Sequence, residues 1–120
     1  VMHKISENLT NLKAAELLCI DALQAIDEGK DATKQAAMAK WYGTEVAYKA
    51  IDQTIQILGA RGYPAEYGLE KRLRDARGVM IADGSNDTLK SLIGREAFGK
   101  DTYNLMYGRK NKEHTSIPVR

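Results

Sequence analysis

Apolar residues at Ile5, Leu9, Leu12, Ala15, Cys19, Ala22 and Ile26 recur at steps of three and four, the spacing of one face of an α-helix. They predict a first helix over about 2–26. The Asp27-Glu28-Gly29-Lys30-Asp31 segment interrupts it, with Gly29 suited to the C′ position and Asp31 or Thr33 able to cap the next helix. A second helix is expected over 33–58, with a stripe through Ala37, Trp41, Thr44, Tyr48, Ile51, Ile55 and Leu58. A second row, Ala39, Gly43, Val46, Ala50 and Ile57, makes this helix apolar on more than one side. Its small members allow another helix to approach closely, so the second helix is expected at the centre of a bundle. Gly59 to Pro64 holds two glycines and a proline and reads as a loop. A third helix is expected over 69–76, then a turn through GVMIADG, then a last helix over 85–98 stopped by Gly99. The tail, 100–120, carries Tyr103, Leu105, Met106 and Tyr107 before turning polar. It reads as an extension that docks on a partner surface or is partly disordered at its end. The expected fold is all-α, an antiparallel four-helix up-down bundle over 1–99 with a tail over 100–120.

Composition narrows the function classes. The 120 residues fit one domain. With 18 Lys+Arg against 16 Asp+Glu there is no strong field to attract nucleic acid. The KRLRDAR and GRKNK clusters read as solvated surface. One cysteine excludes an intrachain disulfide and suits a reducing, cytoplasmic setting; Cys19, on the apolar stripe, is expected in the core. His3 and His114 stand far apart, so no metal site is expected. No run is apolar and long enough for a membrane span, and no signal peptide is visible. The first residue is Val, which suggests a piece of a longer chain.

The stretch Ala82-Asp83-Gly84-Ser85-Asn86-Asp87-Thr88 admits two readings. In one, Ser85 or Asp83 caps the last helix, Gly84 supplies backbone freedom and Asp87 favours the positive end of the helix dipole. In the other, a carboxylate on a tight turn beside free N–H groups acts as a base. Spacing alone favours the cap.

A resemblance shifts that balance. The segments QILGARGY (56–63), YGLEKRLRDA (67–76) and IADGSND (81–87), in this order and at these separations, resemble the C-terminal helical domain of the acyl-CoA dehydrogenase family. The likeness runs from Ala39 to Gly99. The stretch HKISENLTNLKAAELL (3–18) is similar to that domain's first helix, entered part-way. The resemblance implies a flavoprotein of three domains in which this bundle forms a tetramer core and contributes to two FAD sites. The implied reaction is α,β-dehydrogenation of an acyl-CoA thioester, with electron-transferring flavoprotein as the usual electron acceptor.

By the resemblance, Gln56, Ile57, Leu58, Gly59 and Ala60 touch the FAD of a neighbouring subunit, Ala60 standing where a second glycine is usual. Asp83 matches the catalytic carboxylate, usually a glutamate. Gly84 matches the glycine beside the substrate thioester, and Ser85, Asn86 and Asp87 match the stretch that contacts FAD. Ala82 replaces the usual tyrosine. Aspartate is one methylene shorter than glutamate, and a misplacement of about 1 Å can cost on the order of a hundredfold in rate. Some branches of the family carry the base on an earlier helix.

Three functional classes fit these features. The first is the bundle of an FAD-dependent acyl-CoA dehydrogenase that works as a homo-oligomer, dimer or tetramer. The second is a relative with different flavin chemistry. The third is a non-catalytic helical assembly module.

Overall fold

A computed structural model describes residues 1–106, and all described regular structure is helical. The GRKNK cluster, Tyr107 and His114 lie outside the described residues. Helix α1 spans Met2–Asp27 and α2 spans Thr33–Leu58. Helix α3 covers Leu69–Ile81, α4 covers Asn86–Phe98, and a short α5 covers Lys100–Met106. Two 3₁₀ turns, Gly59–Arg61 and Ala65–Tyr67, join α2 to α3.

The punctuation works as the residue types dictate. Gly29 takes φ +69 after α1, while the Gly29 and Lys30 N–H groups close back on Ile26 and Ala25 carbonyls. Asp31 then holds the start of α2, its Oδ1 accepting from Thr33 N at 2.9 Å and Thr33 Oγ1 at 2.6 Å. The Thr33 hydroxyl, followed by its N–H, keeps the Asp31 carboxyl below its ordinary pKa.

Helix α2 is the hub, packing against α1, α3 and α4. α1 and α2 run antiparallel, as cross-links at both levels show. Lys49 Nζ meets Glu7 Oε1 at 2.6 Å and Tyr42 OH donates to Asn11 Oδ1 at 3.3 Å. The Lys49 ammonium, by hydrogen bond and charge, holds the Glu7 carboxyl below its ordinary value. The helices meet through small residues: a Cβ at Gly43 would sit 3.9 Å from Ala15 Cβ. The buried apolar residues are Ala15, Ala22, Ala25, Ala32, Ala37, Ala39 and Val46, and no large side chain is fully enclosed among the described residues.

Two expectations need correction. α3 runs through Gly78, Val79, Met80 and Ile81, so the turn begins only at Ala82. Gly78 is exposed with open space around it, and a helical glycine costs only about 1 kcal/mol. Cys19 is exposed rather than in the core. The α1 face turned to α2 carries alanines, while Met2, Ile5, Leu9, Leu12, Cys19, Leu23 and Ile26 form an outward stripe, with Leu9 64% exposed. Within the tail, residues 100–106 form a helix that packs on α4 of the same chain.

Candidate functional site

The turn between α3 and α4 is built from two left-handed residues in succession. Asp83 has φ +53, the one non-glycine with positive φ among the described residues, and Gly84 has φ +88. Aspartate tolerates this region better than most residues, at a cost of order 1 kcal/mol or more. Ser85 returns to extended geometry and caps α4, its Oγ accepting from Thr88 N at 3.3 Å. Of the two local candidates for the cap, Ser85 is the one that serves. That leaves the Asp83 carboxylate exposed, with no hydrogen-bond or ion-pair partner among the described residues.

The turn is tied to α2 by a cluster that sequence reasoning did not find. Asn86 is 6% exposed and directs its side chain into the bundle. Its Nδ2 donates to Thr44 Oγ1 at 3.1 Å, Trp41 O at 3.4 Å and Glu45 Oε1 at 3.5 Å. Its Oδ1 accepts from Lys40 Nζ and Thr44 Oγ1, each at 3.3 Å. The same Lys40 Nζ donates to the Gly84 carbonyl at 2.8 Å. One turn on, Lys90 pairs with Glu45 at 2.8 Å and lies 4.7 Å above the Trp41 ring. The hydrogen bond to Glu45 raises the Lys90 pKa above its ordinary value. The signal available in the sequence was that Lys40 and Thr44 share one helix side at a step of four.

The other predicted set sits elsewhere. Gln56, Leu58, Gly59 and Ala60 are exposed and Ile57 is half-buried, at the C-terminal end of α2. Gly59 takes φ +58 and ψ −135, backbone that only glycine adopts readily. Gly62 is buried because the chain folds back there: a Cβ would lie 2.8 Å from Ile55 O. Gly59 follows Lys40 by nineteen residues, about 28 Å along the helix at 1.5 Å per residue. The chain therefore brings Asp83, Gly84, Ser85, Asn86 and Asp87 together, and holds 56–60 at the far end of the same helix.

Two open hollows border the Asn86 side of the bundle, one reaching Thr88 and the other Trp41 and Glu45. One, about 620 Å³, lies between α4 and α5 beside Ser91, Arg95, Lys100 and Tyr103. The other, about 460 Å³, is lined by Asn11, Trp41, Tyr42, Tyr48 and Met80. No described helix is long and apolar enough to cross a membrane.

Comparison with known proteins accords with this arrangement. Residues 1–98 match the family described as "Acyl-CoA dehydrogenase, C-terminal domain". The caffeyl-CoA reductase-Etf complex subunit CarC of Acetobacterium woodii is 37% identical over 93 residues, 78% of this chain and 24% of that protein. The short/branched chain specific acyl-CoA dehydrogenase of Rattus norvegicus mitochondria is 33% identical over 95 residues, 79% of this chain and 22% of its own length. A solved structure of the electron transferring flavoprotein of Acidaminococcus fermentans, described as bearing on flavin-based electron bifurcation, contains a chain that superposes with a TM-score of 0.79. It is 28% identical and covers 82% of this chain and 26% of its own. The chain spans about a quarter of the length of these relatives. The family match over residues 1–98, which spans α1 to α4, places this chain in the acyl-CoA dehydrogenase family as its C-terminal domain.

Proposed function

We propose that this domain serves a flavin-dependent oxidoreductase acting on an acyl-CoA thioester, with Asp83 as the base that removes the α-proton. The observation that carries the reading is the Asp83 carboxylate: raised on a strained turn, exposed, and committed to no partner among the described residues. A carboxylate serving only as a cap would be spent on the α4 amides, and Ser85 already fills that role. Gly84 comes next, and without a side chain there the thioester meets little steric obstruction.

The residue chemistry suits FAD. Ser85 and Asp87 offer a hydroxyl and a carboxylate at the start of α4, and Gln56 an exposed amide beside the bare Gly59 backbone. The distance along α2 from Lys40, which holds the turn, to Gly59, about 28 Å, accords with contributions to two flavin sites shared between subunits of a homo-oligomer. FAD, when bound, supplies the two-electron acceptor for the substrate's β-hydrogen. Asp83 takes the α-proton onto its carboxylate, leaving a carbon–carbon double bond. Electron-transferring flavoprotein is the proposed redox partner.

A second direction is favoured by the reductase among the relatives. In reduction the protonated Asp83 would return a proton to the α-carbon, using the same geometry in reverse.

In the full-length protein, Asp83→Asn keeps the side chain's shape and leaves the Ser85 cap untouched. The expected result is retained flavin with exchange of the substrate's α-proton into deuterated solvent slowed by about 10²–10⁴-fold. Exchange at the wild-type rate would move the base to another residue and end this reading.

A further inference from the structure

We infer that Lys40 is a positioning residue for Asp83, holding the catalytic turn through the Gly84 carbonyl while Asn86 and Thr44 anchor the helix start behind it. The inference rests on the reading of Asp83 as the base. Asp83 and Gly84 are consecutive left-handed residues, and among the described residues the Asp83 side chain makes no hydrogen bond that would fix them. Backbone bonds flank the turn, Ala82 N to Gly78 O and Leu89 N to Ser85 O, without entering it. The external tie is Lys40 Nζ, 2.8 Å from Gly84 O and 3.3 Å from Asn86 Oδ1. One ammonium thus joins the turn to the buried amide that registers α4 against α2.

Lysine suits this task because its ammonium carries several donors and can serve two oxygens at once. Asn86 suits its place because both ends of its amide are used, the oxygen by Lys40 and Thr44, the nitrogen by Trp41 O, Thr44 and Glu45. This side chain is engaged inside the bundle, so the positioning role differs from the flavin contact its place in the motif implies. Aspartate is short, and its carboxylate moves with its backbone, having one rotatable bond fewer than glutamate to compensate. A released turn therefore misplaces the base directly.

The test uses the full-length flavoprotein as wild type, Lys40→Met, Lys40→Arg and Asp83→Asn. It reads amide hydrogen exchange over residues 85–92, flavin content, KM and α-proton exchange of the acyl-CoA substrate. Lys40→Met keeps the methylene stem of a half-exposed residue, so the fold survives. Amide exchange at the start of α4 is expected to rise roughly tenfold, as loss of a charge-assisted hydrogen bond implies. Proton exchange is expected to fall about ten- to a hundredfold, with flavin content and KM little changed. Lys40→Arg, which keeps a cationic donor, is expected to recover most of the rate. Unchanged amide exchange in Lys40→Met overturns the inference. So does faster amide exchange with wild-type proton exchange, provided Asp83→Asn has lost it. If Asp83→Asn itself keeps proton exchange, the function reading fails and the positioning role falls with it.

Discussion

Two glycines in the α2–α3 connection show how one residue type answers two different demands. Gly59 is needed for its dihedrals, φ +58 with ψ −135, while an added Cβ there would meet open space. Gly62 has an ordinary φ of −79, yet a Cβ would sit 2.8 Å from Ile55 O and 3.0 Å from both Ile55 Cα and Leu58 Cβ. Backbone atoms of a helix cannot move aside cheaply, so the cost is one of overpacking. Gly62→Ala is expected to destabilise the chain by about 1–3 kcal/mol. The midpoint of urea unfolding should fall with little change in slope, and a midpoint equal to wild type would refute the steric account. Substitution at Gly62 disturbs the seat of 56–60, the segment proposed for cofactor contact, without touching the Asp83 turn. At this scale the sequence was readable for Gly29, Asp31, Ser85 and Gly99, because capping and turn chemistry act between near neighbours. The Lys40–Gly84–Asn86 cluster was not readable, since its partners lie more than forty positions apart and no local rule joins them.

Among the elements, α1 shows why periodicity finds a helix sooner than it finds the buried face. Its bounds were legible from alternating steps of three and four, and those of α2 from the same signal ended by Gly59. The stripe itself merged two faces. Ala15, Ala22 and Ala25 turn to α2, where close approach excludes larger side chains. Ile5, Leu9, Leu12, Cys19, Leu23 and Ile26 turn outward at heptad spacing, interrupted by Glu16, which pairs with Lys13 at 2.6 Å. Such a seam needs a covering surface, and large exposed apolar patches mark interfaces. The 120-residue chain is therefore expected to self-associate through α1. Leu9→Glu combined with Leu23→Lys should shift it toward monomer, because the changes place charge on the seam and leave the alanine face intact. Sedimentation velocity decides this: a wild-type chain that stays monomeric at high concentration would remove α1 as an association surface.

For the whole molecule, the arrangement along α2 bears on what one chain can do alone. Its two candidate cofactor surfaces lie apart along the central helix, one tied to it at Lys40–Glu45 and the other at its C-terminal end, with about 28 Å from Lys40 to Gly59, and both are open. Neither forms an enclosed cavity by itself, whereas ligand sites bury most of their ligand's surface. The chain also spans about a quarter of the length of its relatives, and the proposed function needs more enclosing surface for a flavin or an acyl-CoA than these open faces present. The isolated chain is accordingly expected to bind FAD weakly or not at all and to show no dehydrogenase activity. Titrating FAD with the purified chain should leave the flavin's fluorescence unchanged, and gel filtration should separate protein from colour. A monomeric preparation that stays yellow would show one surface to be sufficient, and the shared-site reading would fail. If colour instead accompanies only the associated form and is lost in Leu9→Glu/Leu23→Lys, the site is assembled between chains. The distance between Gly59 and the Asp83 turn would then be the reason, since one chain presents each half to a different cofactor.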